Sequence, residues 1–285
     1  MSRALVIQGG GFRTAFTSGV LDALHVGRIV DFDIYAGVSG GAIAMSYFIT
    51  GQYRKCFEAI SILASDPHFV RISRAISETG YMDIDHLERI ARDEVPLNLD
   101  LAIQNSTHKD VRIVATERET GHAAYLQPSR EDWIDATIAS STLPFVTKGR
   151  HFIRGIEYFD GGWSDPIPVR WAYEQGARHI VVVRTTPSGV RINQSWPDYL
   201  GSWYFRTNKA LSDCFNSTHI KYNDALDFIE TPPEGTTLHE LAPIEPLKSG
   251  SYSYTSDSII QDYRQGLDIG LEFVEQKTHL RAKNI

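Results

Sequence analysis

The chain has 285 residues, long enough to bury a large core, and at this size one domain is as plausible as two. Apolar residues at 42% and charged residues at 22% describe an ordinary globular protein. The 28 basic against 35 acidic side chains leave a net charge of −7 with no lysine or arginine run, which argues against nucleic acid as a partner and against a membrane held by electrostatics alone.

Two cysteines, Cys56 and Cys214, lie far apart and offer neither a disulfide framework nor metal-ligand spacing, which suits a reducing compartment. The apolar run before Gly9 is too short for a signal peptide, and no later stretch reaches the length of a bilayer span without a charge. A cytoplasmic location is therefore expected.

Residues 3–8 (RALVIQ) read as a fully buried parallel strand, and Gly9-Gly10-Gly11-Phe12-Arg13 turns into a helix from Thr14 to His25 with Val20, Leu21 and Leu24 on its apolar face. A second strand over Phe32–Ala36 leads into Gly37-Val38-Ser39-Gly40-Gly41, and an apolar helix follows at once. This βαβα start predicts a mostly parallel sheet with helices on both faces. The Gly-rich turn invites a dinucleotide reading, but Thr14 stands where a third glycine is wanted, and Asp31 and Asp33 fall at the start of the second strand and not at its end. Three glycines at a helix start still present successive backbone N–H groups to an anion.

The pattern GxSxG is that of a nucleophile elbow: strand, sharp turn, helix, with Ser39 held clear at a helix N-terminus and glycines letting strand and helix pack. Alone it is a weak signal, because a small-residue turn with a buried or capping serine satisfies it equally.

Residues 53–94 are helical in pattern, broken at Asp66-Pro67 and at Gly80. Asp85-His86-Leu87-Glu88 reads as a capping box opening a helix that Pro96 closes. Asp83, Asp85 and His86 could be drawn as a metal cluster, but no further ligand falls at a useful spacing, so capping is the better reading. Strands are expected over Val111–Thr116 and Ala123–Leu126, a short helix over Trp133–Ser140, and a hairpin of His151–Ile153 with Ile156–Phe159. The hairpin ends in Asp160-Gly161-Gly162, where an aspartate before glycine commonly forms a turn. A helix over Pro168–Gly176 and a buried strand over His179–Arg184 follow. Beyond Pro187 the pattern gives an amphipathic helix near Phe205–Ile229, a strand around Leu238–Ala242 and a final helix over Asp257–Leu280.

Taken together, the GGGxR loop, the GxSxG elbow and the distant DGG, with ASSTLPFV (Ala139–Val146) and the run from Asp160 to Val183, resemble the patatin-like phospholipase family over roughly residues 3–185. The resemblance implies an α/β fold, a three-layer α/β/α sandwich around a mostly parallel sheet with the elbow on the second strand, in one domain whose core ends near residue 185 and whose residues 186–285 form an extension. It further implies a Ser39–Asp160 dyad, with Gly9, Gly10, Gly11 and Arg13 supplying or settling an oxyanion hole, Gly37, Gly40 and Gly41 shaping the elbow, and Gly161 and Gly162 following the acid. The family usually carries glycine where Thr14 stands, so the loop is expected to enter its helix at a different angle.

The implied activity is hydrolysis of a lipid or acyl ester through an acyl-enzyme, without metal or other cofactor, with peripheral access to a bilayer through an apolar rim. Two other readings stand beside it. An α/β-hydrolase triad would draw on histidines such as His179, His219 or His239, but that fold places several strands before its elbow and here there is one. A lipid-binding protein without turnover has Thr14 in its favour, while Ser39, Asp160 and the three loop glycines count against it.

Overall fold

A computed structural model describes residues 2–66, 69, 82–144, 146–147, 150–251 and 253–283; the break expected at Gly80 lies outside them. The strands are β1 (Ser2–Ile7), β2 (Ile34–Val38), β3 (Asp110–Glu117), β4 (Ala123–Leu126), β5 (His151–Ile153), β6 (Ile156–Asp160), β7 (Ala177–Val183) and β8 (Thr237–Leu241). They form one mixed sheet in which β3-β2-β1-β7-β8 run parallel and β4, β5 and β6 pair antiparallel.

The central strands are apolar at consecutive positions because both sheet faces are covered. Leu5 and Ile7 of β1 join one core with Val111 and Ile113, whereas Ala4 and Val6 join a second core with Ile180 and Val182. The first core is closed by α1 (Thr14–Val26), α2 (Gly40–Ile49), α3 (Lys55–Ser65), α4 (Ile84–Arg89), α5 (Leu99–Ser106) and α6 (Trp133–Ala139). The second is closed by α7 (Val169–Glu174) and α9 (Lys209–Glu230), while α8 (Trp196–Tyr204) packs on α9 and α10 (Ser256–Lys283) on α1. This is the expected three-layer α/β arrangement with the elbow on the second strand.

Helices α1 and α10 approach closely: a Cβ at Gly266 would lie 2.0 Å from the Phe16 carbonyl oxygen. Tyr263 of α10 donates to the Asp22 carboxylate of α1 at 2.8 Å, so the C-terminal helix is part of the main core.

Three boundaries differ from the sequence reading. Asp83, not Asp85, caps α4 by accepting the His86 N–H at 3.2 Å, leaving Asp85 in the first turn. The amphipathic helix starts at Lys209 behind an Asn208 cap, because residues from Trp196 to Tyr204 form a helix of their own behind Ser195. Helix α5, capped by Asn98 and with only Ala102 fully buried, starts and ends where the sequence reading placed no element.

Candidate active site

The register of β3 brings two distant segments to one point. Along a single edge of β3, Val38 at the end of β2 lies opposite Val114, and Asp160 at the end of β6 lies opposite the next residue, Ala115; β4 occupies the other edge. Because β2 and β6 approach that edge from opposite directions, their C-terminal ends meet, and the residue after Val38 is Ser39.

Ser39 sits at φ 53°, ψ −129°, a backbone conformation that costs a non-glycine residue about 1–3 kcal/mol and survives only where its surroundings impose it. They do so through Ser140, fully buried at the end of α6. The Ser140 hydroxyl accepts the Ser39 N–H at 2.8 Å and donates to the Val114 carbonyl at 2.6 Å, fastening the elbow to β3. Gly37, Gly40 and Gly41 permit the turn by close packing. A Cβ at Gly41 would lie 2.6 Å from the Gln8 carbonyl oxygen, and one at Gly40 would lie 2.1 Å from the Thr14 hydroxyl.

Asp160 is fixed as firmly. Its N–H donates to the Thr142 carbonyl at 2.7 Å, and its carbonyl accepts the Thr116 hydroxyl at 2.7 Å. Its carboxylate accepts the Gly162 N–H at 2.7 Å and stands against the Ser39 side chain, which favours its ionised form. Burial pushes this carboxyl up from 3.8 to about 6, with the Ser39 side chain and the Gly162 N–H opposing the shift. Gly161 lets the chain fold back over β3, since a Cβ there would lie 2.2 Å from the Val114 carbonyl oxygen.

The glycine loop closes the third side. Gly9 abuts Ser39, where a Cβ would come within 2.9 Å of the serine Cβ, and Gly10 packs on Thr185, whose hydroxyl donates to the Gly9 carbonyl. Gly11 takes φ +56°, which L side chains avoid. Among the described residues the N–H groups of Gly10 and Gly11 donate to no protein acceptor, whereas the Phe12 N–H goes to Ser251 and the Arg13 N–H to the Gly10 carbonyl. Arg13 thus acts through its side chain: Nε donates to the Gly10 carbonyl at 3.3 Å and Nη2 to the Ser251 hydroxyl at 3.0 Å. The Ser251 strap is anchored by Asp262 of α10, which accepts both the Lys248 and Ser249 N–H groups at 2.8 Å. Thr14 is buried beside Gly40 at the start of α1.

Ser39, Asp160, Gly9, Gly10, Gly11, Arg13 and Ser251 line one cavity of about 310 Å³. Ile43, Ile60, Leu63, Phe69, Ile84 and Leu87 make one wall apolar, and Gln8, Thr186, Thr218 and Tyr222 add polar groups elsewhere. No histidine lines it among the described residues. His239 instead meets Lys277 Nζ at 2.8 Å on the far strand.

The sequence reading named every residue that forms the turn, the carboxylate and the loop. It assigned no role to Ser140 or Thr142, although both lie inside the ASSTLPFV stretch. Ser251 and Asp262 gave no signal, since only the fold brings them to a loop some 240 positions earlier.

A mixed α/β sandwich with a serine at a strand–helix turn, a facing carboxylate and a glycine loop over an apolar cavity fits the lipid hydrolase class. The family model described as "Patatin-like phospholipase" matches residues 5–173, and the chain belongs to this family. A second model, described as a domain of unknown function (DUF6363), matches residues 208–280. Among curated relatives, the uncharacterized protein YjjU of Escherichia coli (strain K12) is 31% identical over 273 residues, covering 95% of this chain and 76% of that protein. Two solved structures are similar in outline: VipD from Legionella pneumophila, with a TM-score of 0.44 and 11% identity over 96% of this chain and 67% of that one, and human GIVD cytosolic phospholipase A2 in complex with a fluorophosphonate inhibitor, with a TM-score of 0.43 and 12% identity over 99% of this chain and 58% of that one.

Proposed function

We propose that the protein is a serine acyl-ester hydrolase of phospholipase A type, working through a Ser39–Asp160 dyad and a covalent acyl-enzyme. The observation that carries the reading is the placement of the Asp160 carboxylate against the Ser39 side chain in one largely apolar cavity, with two unengaged loop N–H groups lining the same cavity.

In the first half-reaction Asp160 accepts the Ser39 proton as Oγ attacks the ester carbonyl carbon. The tetrahedral oxyanion is held by the N–H groups of Gly10 and Gly11, at the start of a helix whose dipole favours the charge. Collapse breaks the bond to the alcohol, and the proton on Asp160 passes to that leaving oxygen. In the second half-reaction water takes the alcohol's place, Asp160 accepts its proton, and the freed carboxylic acid departs as the proton returns to Ser39. An Asp160 carboxyl that titrates near 6 is a better proton acceptor than an ordinary aspartate and is ionised at neutral pH. The apolar wall fits an acyl chain, and no step requires a metal, so hydrolysis is expected to continue in EDTA.

The test is hydrolysis of a soluble nitrophenyl ester and of phosphatidylcholine by wild type and Ser39→Ala. Loss of both activities in the variant is expected. Ester cleavage without phospholipid cleavage would reduce the reading to a plain esterase. A wild type inert on both substrates yet binding lipid would favour the non-catalytic alternative.

A further inference from the structure

Helix α8 carries an apolar stripe that nothing in the hydrolytic site accounts for. Trp196, Tyr199, Leu200 and Trp203 fall at i, i+3, i+4 and i+7, one face of a helix, and stand 79%, 53%, 39% and 62% exposed. Large aromatic residues at such exposure, contiguous on one face, mark an interaction surface. The opposite face is fixed to the cavity wall: Gly201 lies against the Phe215 ring, which packs on Trp163 at 4.4 Å between centroids, and Trp163 lines the cavity. The segment entering α8 supplies two more lining residues, Thr186 and Ile192, both half-buried, so the helix flanks the cavity on a side that reaches the surface.

Charge selects the occupant. In a chain of net charge −7, residues 192–212 hold one acid, Asp198, which is 4% exposed and occupied by the Ser195 N–H and hydroxyl, each at 2.7 Å. The exposed charges of this segment are Arg206 and Lys209. The Arg206 guanidinium lies over the Trp203 ring, 4.9 Å from its centroid. Indole and phenol rings that bury an apolar body and keep a polar edge wet, with cations at their border, suit the boundary between acyl chains and phosphate headgroups.

We propose that this face of α8 docks on a phospholipid bilayer and brings the cavity to its substrate there. The proposal rests on the lipid-hydrolase reading above, and the experiment separates the two. Wild type and Trp196→Ser/Trp203→Ser are mixed with phosphatidylcholine vesicles, with and without phosphatidylglycerol, and partitioning is measured by co-sedimentation. Brominated phosphatidylcholine reports insertion by quenching tryptophan fluorescence. The variant is expected to partition roughly tenfold or more weakly and to lose the quenching, and phosphatidylglycerol to strengthen wild-type binding. Its hydrolysis of a soluble nitrophenyl ester is expected to match wild type, which also shows that it is folded.

Absence of vesicle binding by an ester-cleaving wild type would overturn the docking proposal and leave the hydrolase reading intact. Equal binding by the variant, or a wild-type dimer that the substitutions dissolve without affecting partitioning, would overturn it as well. Vesicle binding by a wild type inert on every ester would support the docking and sink the hydrolase reading.

Discussion

Replacing Asp160 with asparagine is expected to stop hydrolysis and, at neutral pH, to make the protein more stable. Burial raises the carboxyl from 3.8 to about 6, so between those values the folded chain holds a proton that the unfolded chain has released. The stability this contributes is fully present below about 3.8 and is lost as pH rises through about 6. Once both states are ionised, the difference of about two pKa units corresponds to about 3 kcal/mol of cost to the fold. Asparagine keeps an oxygen for the Gly162 N–H, now 2.7 Å from the carboxylate, and offers an N–H to Ser39 without carrying charge. The gain over wild type is therefore expected to reach about 2–3 kcal/mol near pH 8, to shrink through pH 6 and to vanish near pH 4. Asp165, also pushed up to about 6 by burial, makes a similar contribution in both proteins and cancels in the difference. Urea unfolding of both proteins across this range measures it. A variant less stable than wild type near pH 8 would refute the reasoning, because the hydrogen bonds to the carboxylate would then outweigh the cost of burying it.

The same titration governs activity: kcat/KM on a soluble ester should rise with pH along a limb with an apparent pKa of about 6, and a flat profile there would remove Asp160 as the base. Ser140→Ala strips the hydroxyl that holds the Ser39 N–H and the Val114 carbonyl, which should cost about 1–3 kcal/mol in thermal unfolding and lower kcat more than it raises KM. Gly161→Ala drives a methyl group to 2.2 Å from the Val114 carbonyl oxygen, so we expect a loss of about 3 kcal/mol or more, seen as a large fall in Tm, with activity lost in parallel. A Gly161→Ala protein as stable as wild type would show that the turn after Asp160 does not fold tightly over β3.

Much of the architecture was legible because the buried parallel strands are apolar at consecutive positions and their turns are written in glycine. The elbow, the loop and the carboxylate could be named because their three motifs stand together in the order that the family resemblance rests on, whereas each alone has a commoner reading. The join between them was not legible. That Val38 and Asp160 take neighbouring places on one edge of β3 is a matter of register, which local pattern does not encode.

The Ser251 strap was hidden for a similar reason: Ser251 sits in a loop of no periodicity, and only the packing of α10 on α1 carries it to Arg13. Helix α8 escaped because its apolar residues point outward, so the usual inference from an apolar stripe to a core contact did not apply. The capping of α4 moved by two residues because Asp83 and Asp85 both stand near the helix start, and spacing alone does not say which side chain reaches the His86 N–H.

The most direct test of the central claim is intact-mass analysis after reaction with a fluorophosphonate, followed by mapping of the adduct. The account predicts one adduct per chain, on Ser39, absent in Ser39→Ala and formed roughly 10²–10⁴-fold more slowly in Asp160→Asn. An adduct on another residue, or undiminished labelling of Ser39→Ala, would contradict it.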